Sequence, residues 1–289
     1  MKLQYINEKY NTIYDVLKNE FEISNRLITK IKKSKKIFLN NSSVSSLQQI
    51  KKGDLIEVLL DFDEDSTNII PTKMPLKILY EDDSLLIVNK SANIAIHPSI
   101  LHYSNTLSNG VKYYFDTLGL KKKLRPVNRL DRNTSGIVIF AKNQYIQECL
   151  IHQMQTKEFK KFYLAIVEGH LEKLEGTIDA PINRKENSII ERCVDENGER
   201  AVTHYKILKQ NFDRNYDLVK CLLETGRTHQ IRVHFSYMGH PLIGDTLYGN
   251  ASKYISRQAL HAYKVEFVHP ISKKLMQFTA DVPKDFSLL

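Results

Sequence analysis

The chain has 289 residues, 42% of them apolar and 26% charged, with no Trp; this is an ordinary globular composition with room for about two domains and a sizeable core. Apolar runs such as Ser84-Leu-Leu-Ile-Val88 are strand-sized, far below the roughly 18 residues of a membrane span. Met1-Lys-Leu-Gln-Tyr-Ile-Asn7 has no signal-peptide core, so a cytoplasmic protein without a membrane partner is expected. The net charge of +9 favours a polyanionic partner through counterion release, and three widely spaced cysteines argue against a disulfide framework or a paired-thiolate zinc site.

Ile13, Val16, Leu17 and Phe21, then Leu27, Ile28 and Ile31, follow helical spacing, and Ser24 stands where a second short helix needs an N-cap. Lys36-Ile-Phe-Leu39, the turn Asn40-Asn-Ser-Ser43 and Val44 read as a short ribbon, and Lys52-Gly-Asp-Leu-Ile-Glu-Val-Leu-Leu60 as a turn and a strand. The second helix and its exit carry Lys30, Lys32, Lys33, Lys35 and Lys36, a run of like charge that needs counterions or a partner. This pattern resembles the alpha-L RNA-binding domain, with Asn41 where its middle turn usually has Gly. From Asp61 to Pro75 the chain turns acidic and then polar, with Pro71 and Pro75, as a linker does. Beyond Leu76, strands and turns alternate, with helices expected near 144–156 and 229–238. A second basic run holds Lys121, Lys122, Lys123 and Arg125.

Arg129-Leu-Asp-Arg-Asn-Thr-Ser-Gly136 runs into the apolar strand Ile137-Val-Ile-Phe-Ala141, which places Asp131 in a tight loop at the mouth of a sheet. Taken alone, an Asx turn explains that Asp as well as chemistry does. Leu223 to Gly239 reads as a strand end, a Gly turn and a helix capped by Thr228 and closed by Gly239, with Ile231, Phe235 and Met238 as its apolar stripe. Arg232 lies on the flank of that stripe, either as a solvated charge or as a guanidinium aimed at a carboxylate. His229 and His234 are five residues apart, not the four that set two ligands on one helical face, so no metal is expected.

In chain order these segments are similar to the RluA family of RNA pseudouridine synthases, from about Ile78 to Phe286. The resemblance rests on Ile78 to Lys90 with His97-Pro98, on Arg129-Leu-Asp131 with Thr134-Ser-Gly136, and on Lys161-Phe-Tyr-Leu-Ala-Ile-Val-Glu-Gly169. It continues through Thr225 to His234, Gly239-His-Pro241, Gly244-Asp245, Tyr248-Gly249, Leu260-His-Ala262 and His269-Pro270. It implies an α+β pseudouridine synthase fold, with a mixed, mostly antiparallel central sheet and flanking helices, beside a small N-terminal α+β RNA-binding-like domain. The implied boundaries are 1–60, a linker at 61–76, and a catalytic domain at 77–289. At matched positions it implies Asp131 as the catalytic carboxylate, Tyr163 against the target base and helping to remove its C5 proton, Arg232 paired with Asp131, and Arg129 in the space that the flipped nucleotide leaves. It implies no cofactor and no metal. The RNA partner is expected to be ribosomal, with tRNA as the alternative.

The chemistry agrees with that implication. Substrate and product are isomers, so no redox or energy-carrying cofactor is called for. A stacked uridine must be extruded at a cost of a few kcal/mol, which basic surface offsets and an aromatic face offsets by roughly 1–3 kcal/mol. Asp131 must be ionised, and a neighbouring Arg lowers an Asp pKa by roughly 1–3 units. Asn128 replaces the family's usual His; it keeps a donor and an acceptor but cannot titrate near neutrality, so an orienting role is expected. Ser91 and Asn93 replace the usual Pro and Gly of the opening hairpin. An N-glycosidase using Asp131 and a non-catalytic RNA-binding assembly protein are the competing readings. No coiled-coil heptad appears, and the oligomeric state stays unset.

Overall fold

The computed structural model describes residues 1–64, 66–100 and 102–288. The chain opens with β1 (Lys2–Ile6), a strand not foreseen above, although Leu3 and Tyr5 turn inward with the period of two that strands impose. Helix α1 (Ile13–Asp15), capped by Thr12, continues as a π-helical stretch, Val16–Glu20. The expected second helix is α2 (Asn25–Lys33), and the Ser24 hydroxyl accepts from the Leu27 amide at 3.2 Å. The ribbon is β2 (Ile37–Leu39) and β3 (Ser42–Ser43), joined by Asn40 and Asn41 at φ 47° and 69°, left-handed values that Asn tolerates. With β4 (Leu55–Leu59) these strands form a four-stranded antiparallel sheet in the order β1-β4-β2-β3.

Residues 61–76 contain no strand or helix among the described residues, yet they are strapped down. The Glu64 amide donates to the Lys121 carbonyl at 2.9 Å and the Thr72 amide to that of Asn109 at 3.1 Å.

The second sheet follows in the order β5 (Ile78–Glu81), β6 (Leu85–Lys90), helix α3 (Leu107–Thr117), β7 (Ser135–Ala141), helix α4 (Gln144–Gln155), β8 (Lys160–Glu168) and β9 (Glu175–Asp179). A separate hairpin, β10 (Ile182–Arg184) with β11 (Arg192–Val194), precedes β12 (Val202–Asn211), β13 (Tyr216–Leu223), helix α5 (Gln230–Tyr237), β14 (Leu260–Val268) and β15 (Leu275–Thr279). Nine strands pair as β5-β6-β7-β14-β8-β13-β12-β9, with β15 on β14. Only the β7–β14 pair is parallel among the described residues, so the fold is α+β with a mixed, mostly antiparallel sheet.

Both faces of the central strands are buried, and strand periodicity sorts their side chains. Leu85, Ile87, Ile137 and Ile139 share a core with Tyr145 and Ile146 of α4 and with Leu3, Ile28 and Ile31 of the first sheet and its helix. Leu86, Val88, Val138 and Phe140 face the other way, against Leu107, Val111 and Phe115 of α3 and Ile231 and Phe235 of α5. Tyr163 of β8 belongs to this second face, on which the cleft opens.

Four local expectations are corrected. Helix α3 stands where the sequence predicts strands and turns; its Thr106–Asn109 capping box and its i, i+4, i+8 stripe are short, and Gly110 interrupts them. That Gly lets the 61–76 strap approach, because a Cβ there would lie 2.5 Å from the Met74 side chain. Helix α5 is not capped by Thr228: it starts at Gln230 after His229 in a left-handed conformation (φ 58°) with no side-chain cap. Its stripe does not include Met238, which is 37% exposed, and Arg232 is buried rather than on a flank, because α5 is enclosed from Gln230 to Phe235.

Candidate active site

Asp131 sits in the loop before β7, where its carbonyl accepts from the Thr134 amide at 3.1 Å. The loop is fastened from two sides. Asn128 gives its amide to the Ile137 carbonyl at 2.9 Å and takes the Ile139 amide at 3.0 Å, so both ends of its side chain are committed to β7. Lys90, 1% exposed, donates to the carbonyls of Ser91, Ile94 and Arg132 at 2.9, 2.9 and 3.0 Å. Gly136, at φ +117°, brings β7 against β14: a Cβ there would lie 2.2 Å from the Ala262 carbonyl oxygen.

Helix α5 delivers Arg232 to the same place. Its Nε and Nη2 donate to Asp245 at 2.7 and 2.8 Å, and its Nη1 donates to Asp131 Oδ2 at 3.0 Å. The guanidinium also lies over the Tyr248 ring, 4.9 Å from its centroid. Burial works against this cation, but the hydrogen bonds and charge of Asp245 and the charge of Asp131 outweigh it and hold Arg232 above its usual pKa. Two carboxylates around one guanidinium leave the group net negative. Asp131 keeps Oδ1 for the cleft, where His229 Nε2 is 3.8 Å away.

His229 Nδ1 lies 2.8 Å from Tyr248 Oη, which also accepts from the Arg192 amide at 2.8 Å. We assign the Tyr248 hydroxyl as donor to an unprotonated His229 Nδ1, which leaves the one ring proton on Nε2, facing Asp131. Burial lowers the His229 pKa against the pull of Asp131, keeping the ring neutral at pH 7. Burial, then the Asp131 charge, pushes the Tyr163 phenol well above its ordinary range. Tyr163 therefore offers a face and a neutral hydroxyl, not a phenolate.

Asp131, Tyr163, Arg129 and Lys161 line a cavity of about 710 Å³, and a smaller recess brings Asp131, Tyr163 and Arg232 onto one wall. Segments 131, 163 and 232, distant in sequence, thus meet at one opening. Of their neighbours, Lys90, Asp245 and Tyr248 stand inside matched motifs to which the sequence assigns no role for them, and His229 enters there only as a metal ligand that its spacing rules out.

The basic residues divide. Lys32, Lys33, Lys35, Lys121, Lys123 and Arg129 are exposed. Lys30 pairs with Glu64 and lies over the Phe62 ring, Lys36 reaches the Asp61 carbonyl and the same ring, and Lys122 pairs with Asp61. Arg125 departs furthest from the expected surface position: it is 8% exposed and gripped bidentately by Glu64 at 2.7 and 2.8 Å. The acidic start of the strap draws these cations inward. The three clustered histidines serve separate partners: His229 meets Tyr248, His234 meets Thr203 and the Ala180 carbonyl, and His240 meets the Glu168 carbonyl. Among the described residues no helix is long and apolar enough to cross a membrane.

Residues 84–237 match a family model described as RNA pseudouridylate synthase. Bacillus subtilis "Uncharacterized RNA pseudouridine synthase YhcT" is 42% identical over 287 residues, covering 98% of this chain and 94% of that one. "Ribosomal large subunit pseudouridine synthase D" of Zymomonas mobilis is 40% identical over 237 residues, 76% of this chain and 73% of that one. Among solved structures, human RNA Pseudouridylate Synthase Domain Containing 1 superposes with a TM-score of 0.61 at 27% identity, over 74% of this chain and 86% of that one.

Proposed function

We propose, on the premise that this chain belongs to the RNA pseudouridylate synthase family, that it isomerises uridine in large-subunit ribosomal RNA, with Asp131 as the catalytic carboxylate. As a member of that family it is an RNA pseudouridine synthase, an isomerase acting on RNA. The ribosomal target is favoured by the name of the Zymomonas relative and by the exposed lysines of the first 60 residues, which we read as an RNA-binding unit. A cytoplasmic setting goes with that substrate.

The observation that carries the catalytic assignment is the 3.0 Å contact between Arg232 and Asp131 at the wall of a cavity that also holds Tyr163. The reaction breaks the C1′–N1 bond and forms C1′–C5; the C5 proton leaves and N1 gains one. Arg232 holds Asp131 in place by its 3.0 Å hydrogen bond for attack on the sugar or base, or for removal of a ribose proton. Tyr163 stacks on the extruded uracil, and exposed Arg129 fills the gap left in the RNA. Asn128, with both amide ends bound to β7, orients the loop.

Tritium release from C5-labelled uridine in RNA tests the assignment. Asp131→Asn should fold and bind RNA as the parent does while releasing none; near-parental release refutes the role. RNA of unchanged mass separates isomerisation from base excision. Pseudouridine maps of total RNA with and without the gene test the target, and a change confined to tRNA overturns the ribosomal reading.

A further inference from the structure

Lys161 stands two residues before Tyr163 on β8. The two side chains therefore leave the same face of the sheet, about 7 Å apart along the strand, and both line the large cavity. Lys161 is only 9% exposed. Its Nζ has one neighbouring acceptor, the Thr225 carbonyl at 3.5 Å, too far for a strong hydrogen bond. No carboxylate pairs with it among the described residues, and burial alone draws its ammonium down to about 8.

The contrast with Lys90 is instructive. That lysine, more deeply buried still, is saturated by three carbonyls at 2.9–3.0 Å, as a lysine that holds a fold together should be. Of the other charges around the large cavity, Lys157 is matched by Glu224 at 2.7 Å and Arg227 by Glu199, Arg200 lies 3.6 Å from Glu224, and Arg129 is exposed to water, so Lys161 is the cation there that is both buried and without a carboxylate among the described residues. Asp131, at the inner end, is taken by Arg232. An ammonium withdrawn from water without an anion is costly, so Lys161 is a cation that lacks its partner. The missing anion has to arrive through the cavity mouth.

We propose that Lys161 is a phosphate-binding residue of the cleft, holding a backbone phosphate of the RNA beside the extruded uridine. The inference rests on the reading of the cavity as the uridine site. The Asp131–Tyr163 end takes the base and sugar, and Lys161, one strand step outward, meets the charge that the same stretch of RNA carries. A phosphate oxygen accepts a short, charge-assisted hydrogen bond from Nζ, and the low dielectric around the ammonium strengthens it. The contact fixes the register of the strand and so chooses which base reaches Asp131.

The test is equilibrium binding of a short oligouridylate to the full chain over a range of salt, for the parent, Lys161→Met and Lys161→Arg. Loss of one phosphate contact lowers the slope of log K against log salt by about 0.7 on single-stranded RNA. Lys161→Met should show that smaller slope with affinity down about tenfold. Lys161→Arg should keep the parental slope, and at pH 9, where the parent has shed its proton and weakens, it should bind more tightly than the parent, because Arg stays charged. A Met variant with parental slope and affinity overturns the proposal. If that variant fails to fold, equal weakening of the parent and Lys161→Arg between pH 7 and pH 9 overturns it instead. Turnover is scored separately: absence of pseudouridine from the parent's RNA falls on the functional reading, while the slope comparison decides Lys161.

Discussion

Arg232 spends two of its three guanidinium contacts on Asp245 and only one on Asp131, which turns a floating charge into a fixed bracket for the acid. Asp245 is itself held, with Oδ1 accepting from the Leu247 amide at 3.1 Å. Removing one partner of a buried pair costs about 3–5 kcal/mol. Asp245→Ala should therefore lower stability by that order in urea unfolding and abolish turnover, although Asp245 touches no reacting atom. Arg232→Lys, a point charge without a fork, should lose about 100-fold in turnover. Parental rates in either variant would mean that Asp131 needs no bracket.

Lys90 carries a pH signature. Burial, opposed by Asp131 and aided by Arg257, brings it to about 7, whereas its ordinary value is 10.5. Between those two pH values the unfolded chain binds more protons at this site than the folded one, so the site adds stability as pH rises. The parent should gain on Lys90→Met by up to about 1.4 kcal/mol per pH unit above 7. Urea midpoints at pH 7 and pH 9 check this, and a parent–variant gap that does not widen would contradict it.

Gly136→Ala should be severe. Its φ of +117° is strained for Ala, by about 1–3 kcal/mol, and the new methyl would collide with Ala262 backbone at 2.2–2.7 Å, where β7 meets β14. Gly53→Ala, at φ +88° with open space around it, should cost only about 1 kcal/mol. Thermal melts of the two variants should differ widely; similar melts would show that the strands can part without harm.

Glu64→Ala should release the strap. It strips a bidentate partner from buried Arg125 and an ion-pair partner from Lys30. A loss of about 3–5 kcal/mol is expected, together with new protease cleavage between residues 61 and 76. An uncut variant would show that the remaining hydrogen bonds suffice.

The three residues proposed for catalysis, which the structure brings to one cavity wall, were legible because each stands in a matched motif. Their support was not. Nothing in Lys161 or Lys90 as letters marks a lysine that tertiary packing has taken out of water, and Asp245 acquires a role only once α5 is laid beside it. Arg125 misled for the mirror-image reason: a basic run implies a surface, until an acid 61 residues away claims one member of it. The helix at 107–117 escaped because Gly110, unfavourable for a helix, stands where packing needs it. Continuous apolar runs read the sheet well where both faces of a strand are buried, in β6 and β7.

The interior shared by Leu3, Ile28 and Ile31 with Ile87, Ile139 and Tyr145 joins the first sheet to the second through one core. On the proposed reading, RNA gripped by the exposed lysines is offered to the cleft like work held in calipers with locked jaws. A transcript lengthened or shortened between grip and target would then present the wrong nucleotide, and selectivity would follow from spacing rather than from letters.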